Sequence, residues 1–224
     1  MRLNLSIRRW NIAKKILWSI EMQGKDKEKY EKIYQRKGIM TKKGGYVGEY
    51  GSNPTLDKKW DRYGHAFEGS QRVGDVLSLK PKSMVDIGCG YNEFVKAVRK
   101  SIPAVNCVGV DIACPGADII APAHYLPFED DEYDMLVSFD CMEHIPEEEV
   151  EQAILEFKRV AERIYLQISL THSPTRIDGE KVHVCVKPTD WWLDKIRTQF
   201  PNAIVRHHER KGTPWEHIIV YGTR

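Results

Sequence analysis

The chain has 224 residues, 42% hydrophobic and 29% charged. That composition excludes a disordered chain, and a domain of this length buries roughly 70% of its unfolded-chain surface without needing disulfides or metal. No uncharged apolar stretch approaches the roughly 20 residues of a membrane span, so a soluble protein is expected. The net charge of +2 hides an uneven spread: residues 1–82 carry 19 Lys/Arg against 9 Asp/Glu, and residues 83–224 carry 15 against 23. The first third is therefore +10 and the remainder −8, which suits either an anionic partner or a solvated basic helix face.

Cys89, Cys107, Cys114, Cys141 and Cys185 form no C-x-x-C pair, so neither a zinc ribbon nor a disulfide framework is indicated. Arg8, Arg9, Lys14 and Lys15 interrupt any apolar leader, and a cytoplasmic location is the expectation.

Taken in chain order, residues 3–22 place Ile12, Ala13, Ile16, Leu17 and Ile20 on one helical face with Trp10, a basic amphipathic helix. Residues 41–54 are rich in Gly and aromatics and read as loop, followed by a helical stretch over about 56–79. Tyr46, Tyr50, Trp60 and Tyr63 suit a lid over a ligand or a packed extension. Strands are expected at 84–87, 107–112, 118–120, 133–139 and 164–169, and helices at 93–100, 147–161 and 191–200. Trp191-Trp192 reads as core packing in the last helix. Residues 203–208 and 217–221 read as two strands joined by a turn around 212–214. The alternation implies an α/β fold: a doubly wound, mainly parallel sheet with a closing antiparallel hairpin and an N-terminal helical extension. The extension is placed at 1–65 and the main domain at 66–224.

The first strand runs into Asp86-Ile87-Gly88-Cys89-Gly90-Tyr91-Asn92 and then a helix. Glycines at such a turn let the backbone approach a ligand, and the helix N-terminus offers unpaired N–H groups. Asp111 ends the second strand, where a carboxylate can accept hydrogen bonds from both hydroxyls of a ribose. A dinucleotide site is disfavoured, because Glu93 stands where the fingerprint requires its third glycine. The acid two residues before the first glycine suits a cationic amino-acid group instead.

These residues resemble motif I of class I S-adenosylmethionine-dependent methyltransferases. Asp111, the Leu126-Pro127-Phe128 loop and Asp140-Cys141-Met142-Glu143-His144 follow in the order and spacing of the small-molecule branch, over roughly residues 66–170. The resemblance implies S-adenosylmethionine as cofactor, with Gly88, Cys89 and Gly90 beneath its methionine and ribose and Asp86 near its amino group. It further implies Asp111 on the ribose, Ile112 against the adenine and Asp140 beside the cofactor. The Asp that the family usually sets before the Leu-Pro-Phe loop is Pro122 here, so the backbone of Ala123 and His124, or Asp118, is expected to substitute. Asn92 replaces the third motif glycine and tolerates unusual backbone angles.

Methyl transfer is a direct displacement in which alignment and desolvation do most, and a hydroxyl acceptor gains from a base. His144 and His172, which follow the fourth and fifth strands at the ligand-binding edge, are the candidate catalytic residues, although His144 also suits a helix cap. His183, between Val182 and Val184, suits either the same ligand-binding mouth or a strand, the strand being favoured. His65, His207, His208 and His217 read as structural, and no metal is expected, since no second cluster accompanies His207-His208. The expected reaction is methylation of a small polar acceptor, oxygen ahead of nitrogen, and an anionic acceptor would fit the basic third. Nucleic-acid methylation and a non-catalytic binding module are the alternatives. Against the first, neither the N/D-P-P-Y/F/W motif of exocyclic-amine enzymes nor a Pro before Cys141 is present.

Overall fold

A computed structural model describes residues 24–34, 39–40, 69, 71–173, 176–177 and 179–224. The expected helix at 3–22, the loop at 41–54 with Tyr46 and Tyr50, and Trp60, Tyr63 and His65 lie outside the described residues. Of the helical stretch expected over 56–79, the described residues are helical at 69 and 71 and over Val73–Ser78.

The elements are α1 (Gly24–Tyr34), β1 (Ile39–Met40), α2 (Val73–Ser78), β2 (Ser83–Ile87), α3 (Glu93–Ser101), β3 (Asn106–Asp111) and β4 (Ile119–Ile120). There follow β5 (Tyr133–Phe139), a 3-10 turn (Met142–His144), α4 (Glu147–Val160), β6 (Ala161–Ser169), β7 (Arg176–Ile177) and β8 (Glu180–Lys181). The chain ends in α5 (Thr189–Arg197), β9 (Ile204–Glu209) and β10 (His217–Thr223). A seven-stranded sheet has the order β4-β3-β2-β5-β6-β10-β9, and a small sheet has the order β1-β7-β8. Strands β2 to β6 of the large sheet pair parallel, whereas β10 runs antiparallel to both β6 and β9. The doubly wound sheet with a closing hairpin is therefore present as expected.

The central strands are buried on both faces, which explains their nearly continuous apolar runs. Val85, Ile87, Leu136, Ile164 and Leu166 face a cluster containing Val150, Ile154 and Phe157 of α4 and Trp192 and Ile196 of α5. Met84, Met135, Val137 and Tyr165 join Phe94, Val95 and Val98 of α3 and Val76 of α2 on the opposite face. Helix α4 opens with Glu147, Glu148 and Glu149 and closes with Lys158 and Arg159, each sign suited to its end of the helix dipole.

Chain order reverses direction across the sheet between β2 and β5, so their carboxyl ends splay into loops that leave a crevice. Here the turn after β2 meets the segment after β5. A Cβ on Gly88, whose φ is +75°, would stand 2.5 Å from Cys141 Sγ, so the position needs glycine for both its angle and its space.

One expectation needs correction, and the surroundings of a second residue are fixed. His183 belongs to no strand: it lies in the irregular segment between β8 and α5. Asp118 is committed elsewhere, because its Oδ2 accepts from Gly109 N at 2.9 Å and from Arg99 at 2.7 Å, tying the loop before β4 to β3 and α3.

Candidate active site

The turn after β2 is stitched to β3 by its own backbone. Gly88 N and Cys89 N both donate to Val110 O, at 2.8 and 3.0 Å, and Gly90 N donates to Asp111 Oδ2 at 3.0 Å. Asp111 Oδ1 accepts from Ala113 N and Cys114 N at 2.9 and 2.8 Å, which aims the carboxylate back across the turn. Its Oδ2 also accepts from the Tyr34 hydroxyl of α1 at 3.1 Å. Asn92 takes the left-handed conformation at φ 63°, as its replacement of a glycine requires, and its amide donates to Gly116 O at 3.0 Å. Ile112 is half-buried beside Asp111.

Asp86 is 1% exposed, and among the described residues neither of its carboxylate oxygens has a hydrogen-bond partner. Burial, reinforced by the charge of Asp111, pushes its pKa well above the usual carboxylate range. A cationic group at this point would stabilise it.

The Leu126-Pro127-Phe128 loop is clamped from α4. Glu156, buried, accepts from Leu126 N at 2.9 Å, and Arg159 donates to Leu126 O and Phe128 O at 2.9 and 2.6 Å. Just before it, Ala123 is half-buried, and the His124 side chain turns to α4, with Nδ1 3.0 Å from Glu149 Oε2.

On the other side of the crevice lies a cavity of about 190 Å³, lined by Asp140, Glu143, His172, His183, Arg210 and His217 among others. It sits at the β5, β6 and β10 ends rather than over the glycine turn. Asp140, at φ 50°, receives both oxygens' hydrogen bonds from Gln167 Nε2 at 3.1 Å, and Gln167 Oε1 accepts from Arg72 at 3.0 Å. Arg72 is held in turn by Glu209 at 2.7 Å, so a polar chain runs from the hairpin through β6 to the cavity. Gln167 escaped the sequence reading, although a lone amide within the apolar run of β6 is a legible signal. His217, read as structural, lines the cavity and shares a 3.1 Å hydrogen bond with Glu209.

Of the two candidate catalytic histidines, His172 is exposed at the cavity rim, whereas His144 is half-buried in the 3-10 turn. His144 Nδ1 shares a 2.9 Å hydrogen bond with the Tyr30 hydroxyl, and its ring packs edge-on against His183 with centroids 4.7 Å apart. The N-cap of α4 is Pro146, which makes no side-chain cap bond. Burial, with the nearby His183 and Lys29, holds His144 well below the usual imidazole range, and burial lowers His183 too. Glu143 is completely buried and is pushed well above the carboxylate range by burial and by Asp140. His208 pairs with Glu216 at 2.6 Å, away from this group.

A family described as a methyltransferase domain matches residues 60–208. The chain belongs to this methyltransferase family. It is a class I, Rossmann-like methyltransferase, and its cofactor is S-adenosylmethionine. The residues present fit that group: Asp86 is an uncompensated buried carboxylate suited to an ammonium, and Asp111 stands at the end of the strand beside the glycine turn.

Solved structures agree on the fold. A candidate O-methyltransferase of Nostoc punctiforme is 13% identical with a TM-score of 0.55, covering 75% of this chain and 59% of that one. The PH0226 protein of Pyrococcus horikoshii is 17% identical with a TM-score of 0.55, covering 77% of this chain and all of that one. A phosphoethanolamine N-methyltransferase of Haemonchus contortus, in complex with phosphomonomethylethanolamine and S-adenosylhomocysteine, is 10% identical with a TM-score of 0.55; it covers 70% of this chain and 52% of that one. This methyltransferase thus spans between half and all of the length of its structural neighbours. No curated protein sequence matches it. Among the described residues no helix is long and apolar enough to cross a membrane.

Proposed function

We propose that the protein transfers a methyl group to a small polar acceptor seated in the cavity beside Asp140, oxygen being favoured over nitrogen. The observation that carries this reading is the juxtaposition at one crevice of the cofactor turn and a polar cavity rimmed by imidazoles.

S-adenosylmethionine supplies a methyl group on a sulfonium, and its positive charge is neutralised as the new bond forms. Asp86 would face the ammonium of its methionine part, and the turn of Gly88, Cys89 and Gly90 would run beneath the methionine and ribose. Asp111 would hold the ribose hydroxyls, Ile112 would lie against the adenine, and the backbone of Ala123 and His124 would meet its amino group. Asp140, held by Gln167, stands between this half and the cavity and would orient whatever bridges them. For a hydroxyl acceptor, an imidazole of His144 or His172 would take the proton, and the buried surroundings exclude water. Arg210 on the cavity wall supports an anionic acceptor, which is the chemistry of the phosphorylated ligand in the Haemonchus contortus structure.

The test is incubation of the purified protein with methyl-labelled S-adenosylmethionine and a fractionated extract. Label entering small polar metabolites is the expected result. Label entering only nucleic acid or protein would overturn the acceptor class.

A further inference from the structure

Beside the cavity stands a group of side chains whose arrangement methyl transfer alone does not require. Glu143 is fully buried and lines the cavity, and among the described residues no side chain reaches its carboxylate with good hydrogen-bond geometry, the backbone amides of Glu143 and Ser169 being the polar groups beside it. An ionised carboxylate in such a place is costly unless a proton or a cation neutralises it, and a cation that brings its own coordination bonds is the stronger of the two. His183 donates its Nδ1–H to Thr171 O at 2.6 Å, which fixes the tautomer and leaves the Nε2 lone pair free, 4.0 Å from Glu143 Oε1. That is the outer hydrogen bond by which metal-ligating histidines are oriented. The His144 ring stands edge-on to His183, and one ligand atom from each of Glu143, His144 and His183 lies within 4.8 Å of the others.

The backbone holds these donors together. Glu143 and His144 come from the 3-10 turn after β5, His183 from the segment before α5, and Val184 N and Cys185 N both donate to Glu143 O at 3.0 Å. Two ligands of one ion at about 2.1 Å stand at most about 4.2 Å apart, so rotations that close the group by about half an ångström suffice.

We propose that Glu143, His144 and His183 bind one divalent transition-metal cation at the edge of the acceptor cavity. Two neutral imidazoles and a carboxylate suit Zn²⁺, Mn²⁺ or Co²⁺ and disfavour Ca²⁺, which prefers oxygen ligands alone. Three protein ligands leave coordination positions open, and Glu143 and His183 both line the cavity, so the open side faces the acceptor. Resting on the methyl-transfer reading, this narrows the acceptor to a hydroxyl compound able to ligate a metal. The hydroxyl oxygen binds the cation and gives its proton to a base such as His172 or to water. The oxygen lone pair then forms the O–CH₃ bond while the C–S electrons return to sulfur, releasing S-adenosylhomocysteine. No oxidant or reductant is involved.

The experiment is calorimetric titration of the chelator-stripped full chain with ZnCl₂ and, separately, MnCl₂, with S-adenosylmethionine titrated in parallel. One ion per chain is expected, and Glu143→Gln and His183→Ala are each expected to weaken it by at least about 100-fold, the upper range found for losing even an outer-shell partner. Affinity for S-adenosylmethionine should be unchanged in both variants. Saturable binding of neither ion would overturn the proposal, as would binding that both variants retain or that His208→Ala removes instead. If one variant does not fold, the other decides by the same criterion. A cation that binds through these residues in a protein that does not bind S-adenosylmethionine upholds the site and overturns the cofactor assignment.

Discussion

At the β2 and β3 end of the crevice, the polar groups are taken up largely by the chain's own backbone, whereas at the β5, β6 and β10 end several face a cavity. Asp111 accepts three backbone N–H groups and one hydroxyl, all from residues within the turn, the following loop and α1. The Glu143 carboxylate, by contrast, has no side-chain hydrogen-bond partner among the described residues, and the groups around it arrive from three distant segments of chain. A site made by one turn keeps its shape with or without ligand. A site made by convergence of loops is free to differ between relatives, which is how one fold carries different acceptors.

The sharpest way to separate the two halves is kinetic. Replacing His172 by Gln should lower kcat by about 100-fold or more if it is the base, because general-base assistance contributes roughly 10²- to 10⁴-fold. Affinity for S-adenosylmethionine should stay within about twofold, since His172 lies at the cavity rim and not at the glycine turn. Wild-type turnover on the true acceptor would leave alignment, or the cation, as the whole of the catalysis in that half.

The converse variant is Asp111→Asn, which should weaken S-adenosylmethionine by about 30- to 150-fold, the equivalent of about 2–3 kcal/mol for charge-assisted hydrogen bonds to a ribose. Asn is the better choice than Ala, because Asp111 also anchors Gly90, Ala113 and Cys114 and its removal would loosen the turn itself. Calorimetry on both proteins measures this, and equal affinities would show that the turn half does not hold the ribose through this carboxylate.

The same contrast explains what was legible before the structure. The turn half could be read because its residues are consecutive: Gly88, Gly90 and Asn92 carry positive φ and Asp111 follows one strand later. Strand β5 was legible to the residue because it is a buried parallel strand bounded by the acidic 129–132 stretch and a sharp turn. The cavity half was not, since His183 lies about 40 residues from His144 and tertiary contacts, the backbone bonds to Glu143 O among them, bring them together. Alternation of Val182, His183 and Val184 suggested a strand, yet two-residue β8 ends at Lys181 and the segment bonds to the 3-10 turn instead. Glu156 and Arg159 carried no signal of their own within the helix pattern, and their clamp on the Leu-Pro-Phe loop became visible only with the loop in place.

A control outside both halves is Asp134, near the amino end of β5, which accepts from Arg163 at 2.6 Å and from Lys82 N at 2.7 Å. Burial acts to raise its pKa, but the hydrogen bonds from Arg163 and Lys82 N outweigh it and hold the carboxyl below its usual value. A depressed folded pKa contributes stability above the unfolded value of about 3.9 and loses it as pH falls through the folded value. Asp134→Asn should therefore destabilise the protein by about 1.5–3 kcal/mol near neutrality, with the gap to wild type narrowing below about pH 4. Denaturant unfolding at several pH values checks this, and a gap that stays constant into acid would mean that the charge of Asp134 is not what stabilises the strand. Methyl transfer should be unaffected apart from the loss of folded protein.

The smallest expected effect bears on a helix that touches both halves. Helix α1 sets Tyr34 on Asp111 Oδ2 and Tyr30 on His144 Nδ1, and Lys29 reaches Lys181 O at 3.1 Å. With the ribose held by Asp111, the Tyr34 hydroxyl stands where a ribose hydroxyl would bond, so binding has to displace it. A net hydrogen bond of this kind contributes about 0.5–1.5 kcal/mol, and Tyr34→Phe should therefore tighten S-adenosylmethionine by about two- to tenfold. Tyr30→Phe, which touches the cavity half, should leave that affinity alone. Tighter binding in the first variant only would mark Tyr34 as a competitor that covers the cofactor half in the ligand-free state. Weaker binding in Tyr34→Phe would reverse the assignment, making the hydroxyl a partner of the bound ribose and α1 a wall of the site instead of a cover to be moved.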